Sequence, residues 1–290
     1  MMSSRREFLR LSAALGGVAL SSACAGAATL AQAREAGIIT LGIANEAPYG
    51  YTDEQGNVTG EAVEVARAVL ARLGVPEIET VTVDFGELIS GLTLARQFDI
   101  AAAGMYITPQ RCQAVAFSVP DYTAPTALLV PRGNPHRIRT FDEVRDQNLR
   151  LAVLGGAVEH DFATEYGVPE ARIQQLADQQ ALLMAVSTGR ADCAALTNIS
   201  LNNLVARNPG ASVEVTPGFF PVINGRSAVL AGAFAFRPGE DDIRDAMNTE
   251  LRAMHQSGEW LRIAQPFGFG PDNTPAPDLT TESLCKPDPT

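Results

Sequence analysis

The chain has 290 residues and a formal net charge of −11, with 19% charged and 46% hydrophobic residues. An acidic chain of this balance lacks the basic footprint that nucleic acid demands, which excludes nucleic acid as a partner. Three histidines and four cysteines show no spacing that reads as a metal centre, so neither a metal nor another cofactor is expected.

The N-terminus reads as a targeting segment and is set aside before the fold is considered. Ser4-Arg5-Arg6-Glu7-Phe8-Leu9-Arg10 precedes an uncharged, Ala/Gly-rich run, so residues 1–33 resemble a twin-arginine export signal. Ala31-Gln32-Ala33 fits a small-x-small cleavage site. Cys24 sits in a poor lipoprotein box, with Ser21 where leucine is usual, so soluble periplasmic release is expected in place of a lipid anchor. Removing residues 1–33 takes away three arginines and one glutamate and leaves about −13. The remaining residues make one large domain or two ordinary ones, and no later run is long and apolar enough to span a bilayer.

Past the signal, strands and helices alternate. "GIITLGIA" reads as a strand, and "TGEAVEVARAVLARLG" as a helix that buries Val63, Ala66, Val69, Leu70 and Leu73. The strand "ETVTVDF", the helix "GELISGLTLARQF" and the strand "DIAAAGM" follow. After the extended run "TALLVPRGNP" comes a second series. It comprises the strand "LRLAVL", a tight turn at Gly155-Gly156, the helix "AVEHDFATEYG", the strand "RIQQL", the helix "DQQALLMAVSTGR", the strand "ADCAALT" and the helix "NISLNNLVARN". A second extended run, "SAVLAGAFAFRPG", leads into a helical stretch over "EDDIRDAMNTELRAMHQSGEWLRIAQPFGF" and a Pro-rich, non-helical tail. The pattern is α/β with mostly parallel sheet. The two extended runs can carry the chain between two α/β halves, although a single doubly wound sheet gives the same elements. Phe98, Phe117 and Trp260 are assigned to the core.

One local feature points to function. In "AAAGMYITPQRC" a helix is expected to start at Thr108 with Pro109 in its first position, which puts Arg111 in the first turn. The partial positive charge at that end disfavours a cation and favours an anion. A carboxylate bound there, held by free backbone N–H groups and by Arg111, accounts for the arrangement.

Five segments resemble the periplasmic solute-binding proteins of ABC transporters, in the polar-amino-acid branch, over residues 36 to about 270. They are "APYGYTDEQGNVTGEAVEVARAVLARLG", "FGELISGLTLARQFDIAAAGMYITPQR", "VAFSVPDY", "TGRADCAAL" and "AFAFRPGEDDIRDAMNTELRAMHQSGEW". Within the branch, "ANEAPYGY", "AAGMYITPQRC" and "LTTESLCK" are most similar to the ectoine/hydroxyectoine binders. The resemblance implies a type II periplasmic binding protein fold, two lobes joined by two crossover strands with ligand between them. Residues 34–130 and 232–270 would form lobe 1, residues 131–231 lobe 2, and residues 271–290 a tail on lobe 1. An odd count of cysteines after the signal suggests one bridge and one buried thiol. The contexts of Cys112 and Cys285 belong to the resemblance and favour their pairing, with Cys193 left in its strand; three unpaired thiols remain the alternative.

The resemblance also implies a ligand set. Arg111 falls where the family grips the ligand's carboxylate, and Thr108 either caps its own helix or reaches the ligand. Across the cleft, Gly156 and Ala157 would offer backbone N–H groups to the same carboxylate, unless the glycines only make a tight turn. Ala157 stands where the family usually has threonine. Thr197, beside Asn198, replaces the aspartate that pairs with an α-ammonium, which argues against a standard amino acid. Tyr49, Phe85 and Tyr106 fall at or just after strand ends and would box a delocalised cation, with Glu46 accepting from its N–H. Separately, Tyr49 could cover a loop, Phe85 staple a helix and Glu46 be solvated. The expected ligand is a small zwitterion of the ectoine/hydroxyectoine kind, the expected partner a transporter permease, and the expected state a monomer without enzymatic activity. Alternatives are a polar amino-acid binder, a dehydratase-like enzyme with Glu46 as its acid–base group, or a sensory binding protein.

Overall fold

A computed structural model of the chain describes residues 29–223 and 226–286, with Arg226 described for its backbone alone. The twin-arginine motif and Cys24 lie outside the described residues. Ala31-Gln32-Ala33 falls inside a helix, Leu30–Ala36, that Thr29 caps and that buries Leu30 and Ala33. The Leu30 N–H donates to Asp242 Oδ2 at 2.9 Å. A domain boundary at Ala33 would therefore cut a packed element.

The strands form two main sheets. The first runs in the order Glu77–Thr82, Ile38–Ile43, Ile100–Tyr106, Ala231–Phe236, Ala116–Phe117, with Tyr122–Thr123 also pairing on Ala231–Phe236. Its first three strands are parallel and Ala231–Phe236 is antiparallel to them. The second runs Ile173–Leu176, Leu151–Leu154, Cys193–Thr197, Thr126–Pro131, Val213–Val215. It is parallel through the first three and antiparallel at the last two. Leu151–Leu154 and Cys193–Thr197 are buried throughout, as strands covered on both faces must be. Helix Glu61–Arg72 lays Val63, Ala66, Val69 and Leu70 into the first core, while Phe98, Phe117 and Trp260 are all buried.

The structure revises several boundaries. Thr126–Val130, expected in the first lobe, pairs with Cys193–Thr197 and Val213–Val215 in the second sheet. The chain leaves the first sheet where Tyr122–Thr123 ends its pairing and Pro125, which has no N–H to donate, interrupts the ladder. It returns at Ala231. The helix expected over "GELISGLTLARQF" stops at Thr93, because Leu94 is exposed and Arg96 takes a left-handed backbone that turns Phe98 back into the core. The C-terminal helical stretch is two helices, Asp241–Ser257 and Glu259–Ala264, that meet at Gly258 with φ +72°. The tail gains one helical turn, Thr281–Leu284. It is fastened by a disulfide between Cys112 and Cys285 and by Thr281 Oγ1 donating to Ser118 O at 2.6 Å. Cys193 is a buried free thiol.

Behind the first sheet, the buried Trp260 donates its indole N–H toward Asp121 Oδ1 (2.9 Å) and Glu61 Oε1 (3.1 Å). Burial pushes the Asp121 carboxyl up to about 7 and Glu61, facing it, well above the usual carboxylate range. The folded chain thus holds protons that the unfolded chain releases near the ordinary values of 3.8 and 4.5. This stabilisation is complete below those values and is lost as pH rises through about 7 and beyond, by up to ~1.4 kcal/mol per pH unit for each proton held. Thermal melts between about pH 5 and pH 8 should show a falling Tm, and Glu61→Gln, which keeps a hydrogen-bonding group, should flatten the decline. A Glu61→Gln variant whose Tm falls as steeply as that of wild type would contradict protons held at Asp121 and Glu61.

Candidate functional site

A small cavity lies between the carboxyl ends of strands from both sheets, where open α/β sheets place their ligands. From the first half it is lined by Glu46, Tyr49, Phe85, Gly104, Tyr106 and Arg111, and from the second by Leu154, Ala157, Val158, Glu159, Leu196 and Thr197. Glu46 and Tyr49 sit on the loop after Ile38–Ile43, which contains a cis Ala47–Pro48 peptide. Tyr106 closes its strand, and Phe85 opens a short 3-10 turn after Glu77–Thr82.

The aromatic rings are fixed through their hydroxyls. Tyr106 donates to Ala124 O and Tyr122 to Gly104 O, both at 2.8 Å, while the Tyr49 hydroxyl shares a 2.9 Å hydrogen bond with Thr197 Oγ1. Tyr122 stacks behind, its centroid 5.0 Å from Tyr49 and 6.1 Å from Tyr106. With the hydroxyls engaged, these rings offer the cavity aromatic surface. Gly104 makes room for them: its φ is +63°, and a Cβ there would lie 2.5 Å from the Tyr49 ring. The pairing between Ile100–Tyr106 and Ala231–Phe236 shifts register at this point.

Arg111 is half-buried in a single 3-10 turn, Arg111–Gln113, instead of the expected helix from Thr108. So short a turn has little dipole, and the guanidinium is held by specific acceptors instead. It donates to Tyr106 O at 2.8 Å and to Gly156 O at 2.9 Å, and lies 5.6 Å from the Phe85 ring centroid. Its remaining N–H groups can serve an anion in the cavity. Burial pulls the pKa of Arg111 below its ordinary value, partly offset by Glu159.

Two carboxyls share the cavity. Glu46, 5% exposed, accepts from Ser200 Oγ at 2.6 Å across the two halves. Burial pushes it up to about 7, against the opposing effect of that hydrogen bond. Glu159, 1% exposed in the first turn of helix Val158–Glu165, is likewise pushed up to about 7 by burial. Its Oε1 has no hydrogen-bond partner. Such groups, placed beside a guanidinium and aromatic faces, suit a ligand carrying both a carboxylate and a delocalised cation with N–H donors.

Of the residues expected at the site, Glu46, Tyr49, Phe85, Tyr106, Arg111, Ala157 and Thr197 line this cavity. Thr108 and Gly156 lie along a neighbouring groove on the other side of Arg111. Thr108 acts as a cap, its Oγ1 accepting from Arg111 N at 3.2 Å. At the turn Gly155–Ala157 the Gly155 N–H donates to Leu176 O and the Ala157 N–H to Leu154 O, so Ala157 does not hold a free donor. Gly156 also contributes its carbonyl, which accepts from Arg111. Asn198 is off the cavity: it follows the N-cap Thr197, which turns its side chain toward Gly218, and its N–H donates to Pro125 O. Glu159 and Ser200 were not anticipated. An acidic residue in a helix's first turn reads as an ordinary solvated one, whereas a glycine inside a strand, such as Gly104, does signal close approach.

The family model of bacterial extracellular solute-binding proteins, family 3, matches residues 39–271. A probable amino-acid ABC transporter periplasmic-binding protein of Sinorhizobium fredii, y4tE, is 38% identical over 92% of this chain and 89% of its own. The arginine-binding extracellular protein ArtP of Bacillus subtilis is 29% identical over 77% of this chain and 82% of its own. Among solved structures, EhuB in complex with hydroxyectoine superposes with a TM-score of 0.80 at 33% identity, covering 89% of this chain and 97% of that one.

The two halves meet at glycines. Gly156 has φ +77°, and a Cβ there would lie 2.5 Å from Gly86 Cα, in backbone that cannot swing away. Gly156→Ala should therefore cost about 1–3 kcal/mol and hold the halves apart, seen as a larger radius of gyration in small-angle scattering. Gly155→Ala, whose Cβ would make only an ordinary contact with Leu176 O, should be tolerated. Equal scattering from both variants and wild type would show that this contact does not set the closed arrangement.

Proposed function

Because the chain belongs to the bacterial extracellular solute-binding proteins, family 3, and is a binding protein rather than an enzyme, we propose that it is the periplasmic component of an ABC importer that captures ectoine/hydroxyectoine-type zwitterions by closing two lobes around them. Its fold is that of the type II periplasmic binding proteins. In this reading, residues 29–123 and 231–286 form one lobe, residues 126–223 belong to the other, and the monomer delivers its ligand to a permease.

The observation that carries the reading is the placement of Arg111, Glu46 and three aromatic residues on one cavity between the halves. The ligand's carboxylate takes the guanidinium N–H groups not given to Tyr106 O and Gly156 O, in charge-assisted bonds that strengthen away from water. The amidinium ring lies among Tyr49, Phe85 and Tyr106, each contributing about 0.5–2 kcal/mol when desolvated. Glu46, oriented by Ser200, accepts from a ring N–H. The similarity to EhuB, solved with hydroxyectoine, supports the ligand class. The names of y4tE and ArtP support the broader amino-acid reading. Thr197 separates the two: its hydroxyl is occupied by Tyr49 and by Ser200 N, and it offers no carboxylate to an α-ammonium.

Calorimetric titration of the protein, stripped of ligand by partial unfolding and refolding, should show tight binding of ectoine or hydroxyectoine and weak binding of common amino acids. Arg111→Ala should weaken capture about 10- to 100-fold, the worth of a hydrogen bond to a charged group. Affinity should rise between about pH 6 and pH 8 as Glu46, held near 7, becomes a carboxylate. Tight binding of glutamine or arginine with none of ectoine would overturn the ligand and leave the family standing.

A further inference from the structure

Glu159 has no task in the reading above, yet its placement is costly. It is buried, it lines the same cavity as Arg111 and Glu46, and its Oε1 has no partner. No ion pair joins it to Arg111 among the described residues; the guanidinium is instead given to Tyr106 O and Gly156 O. Buried carboxyl oxygens without a donor are rare because each one forfeits its hydration. A donor that arrives with a ligand removes the cost.

We propose that Glu159 is a second ligand-recognition carboxyl, which accepts a hydrogen bond from a donor beside the ligand carboxylate that Arg111 grips. The proposal rests on the reading of the cavity as a trap for a cyclic amidinium zwitterion, and it narrows the class to zwitterions with two separate donors, one for Glu46 and one for Glu159. The placement follows from one stretch of backbone. Gly156, whose carbonyl holds Arg111, lies three residues before Glu159 in the turn that opens its helix. A carboxylate seated on Arg111 therefore brings its neighbouring ring atoms toward Glu159. In ectoine the carboxylate-bearing carbon adjoins a ring N–H. In hydroxyectoine its other neighbour also carries a hydroxyl. Either group supplies the same chemistry, and the two solutes tell them apart. A zwitterion without N–H or O–H, such as glycine betaine, supplies neither.

The test is calorimetric titration of wild type, Glu159→Met and Glu159→Gln with ectoine, hydroxyectoine and glycine betaine. Wild type should bind the cyclic solutes and reject glycine betaine. Glu159→Met, similar in volume but unable to accept, should lose about 10- to 100-fold in affinity for the cyclic solutes. Glu159→Gln, whose amide oxygen still accepts, should lose less. A loss confined to hydroxyectoine assigns the donor to the hydroxyl, and a loss shared by both solutes assigns it to the ring N–H. If Glu159→Met does not fold, Glu159→Leu, likewise unable to accept, replaces it with the same expected loss. A folded Met or Leu variant that binds both solutes within about twofold of wild type overturns the proposal and leaves the ligand class intact. Wild type that binds neither solute removes the ligand class and the proposal together.

Discussion

One guanidinium joins the two halves of this protein. Arg111 spans from the end of a first-sheet strand, through Tyr106 O, to the turn that follows a second-sheet strand, through Gly156 O. The rest of the cavity is arranged around it. Phe85 lies against its plane, Tyr106 is both its acceptor and a wall, and Glu159 stands three residues beyond the carbonyl that holds it. Two carbonyl dipoles orient the cation without neutralising it. In a medium of low dielectric, a charge so held attracts an anion far more strongly than it would in water.

The anions built into the cavity do not meet that demand. Glu46 is engaged by Ser200, and Glu159 makes no ion pair with Arg111 among the described residues. Burial lifts both carboxyls to about 7, so near neutral pH each is held back from full ionisation. The cavity is therefore poised between charge states, and the counter-charges arrive best on one molecule. A carboxylate answers the guanidinium, and a delocalised cation returns the carboxyls to their ionised form. Aromatic surface from Tyr49, Phe85 and Tyr106 favours a flat cation over a compact, strongly hydrated ammonium.

Much of this was legible in the sequence because it follows from periodicity and from strand ends. Apolar runs such as "DIAAAGM" and "ADCAALT" mark covered parallel strands, and Tyr106, just past the first, falls on the cleft, while the place of Thr197 in the ligand set follows from the family resemblance. What stayed hidden was side-chain direction within turns. Thr108, Gly156 and Asn198 lie beside cavity residues in sequence, yet a cap, a left-handed turn and a helix start send them elsewhere. Glu159 was hidden for the opposite reason, since nothing in "AVEHDF" distinguishes a buried first-turn carboxyl from a solvated one. The crossing at Pro125 was displaced because "TALLVP" is equally apolar in either sheet, and only pairing partners decide between them.

Polar and apolar contacts both cross the cleft. Among the described residues they include Arg111 to Gly156 O, Tyr49 to Thr197, Ser200 to Glu46, Arg207 over the Tyr51 ring, apolar packing of Val158 and Ile199 with the first half, and backbone contact between Gly86 and Gly156. Hydrogen bonds of this kind contribute about 1 kcal/mol each, because opening returns both partners to water. Against them stands the desolvation of two carboxyls and a guanidinium, which offsets part of that gain. A ligand that binds the closed form alone shifts the population by its full differential affinity. Where the intrinsic gap is small, modest affinity suffices to move it. Glycines at the point of contact serve that balance, since they let the halves approach closely while adding almost no apolar surface that would hold the cleft shut without a ligand.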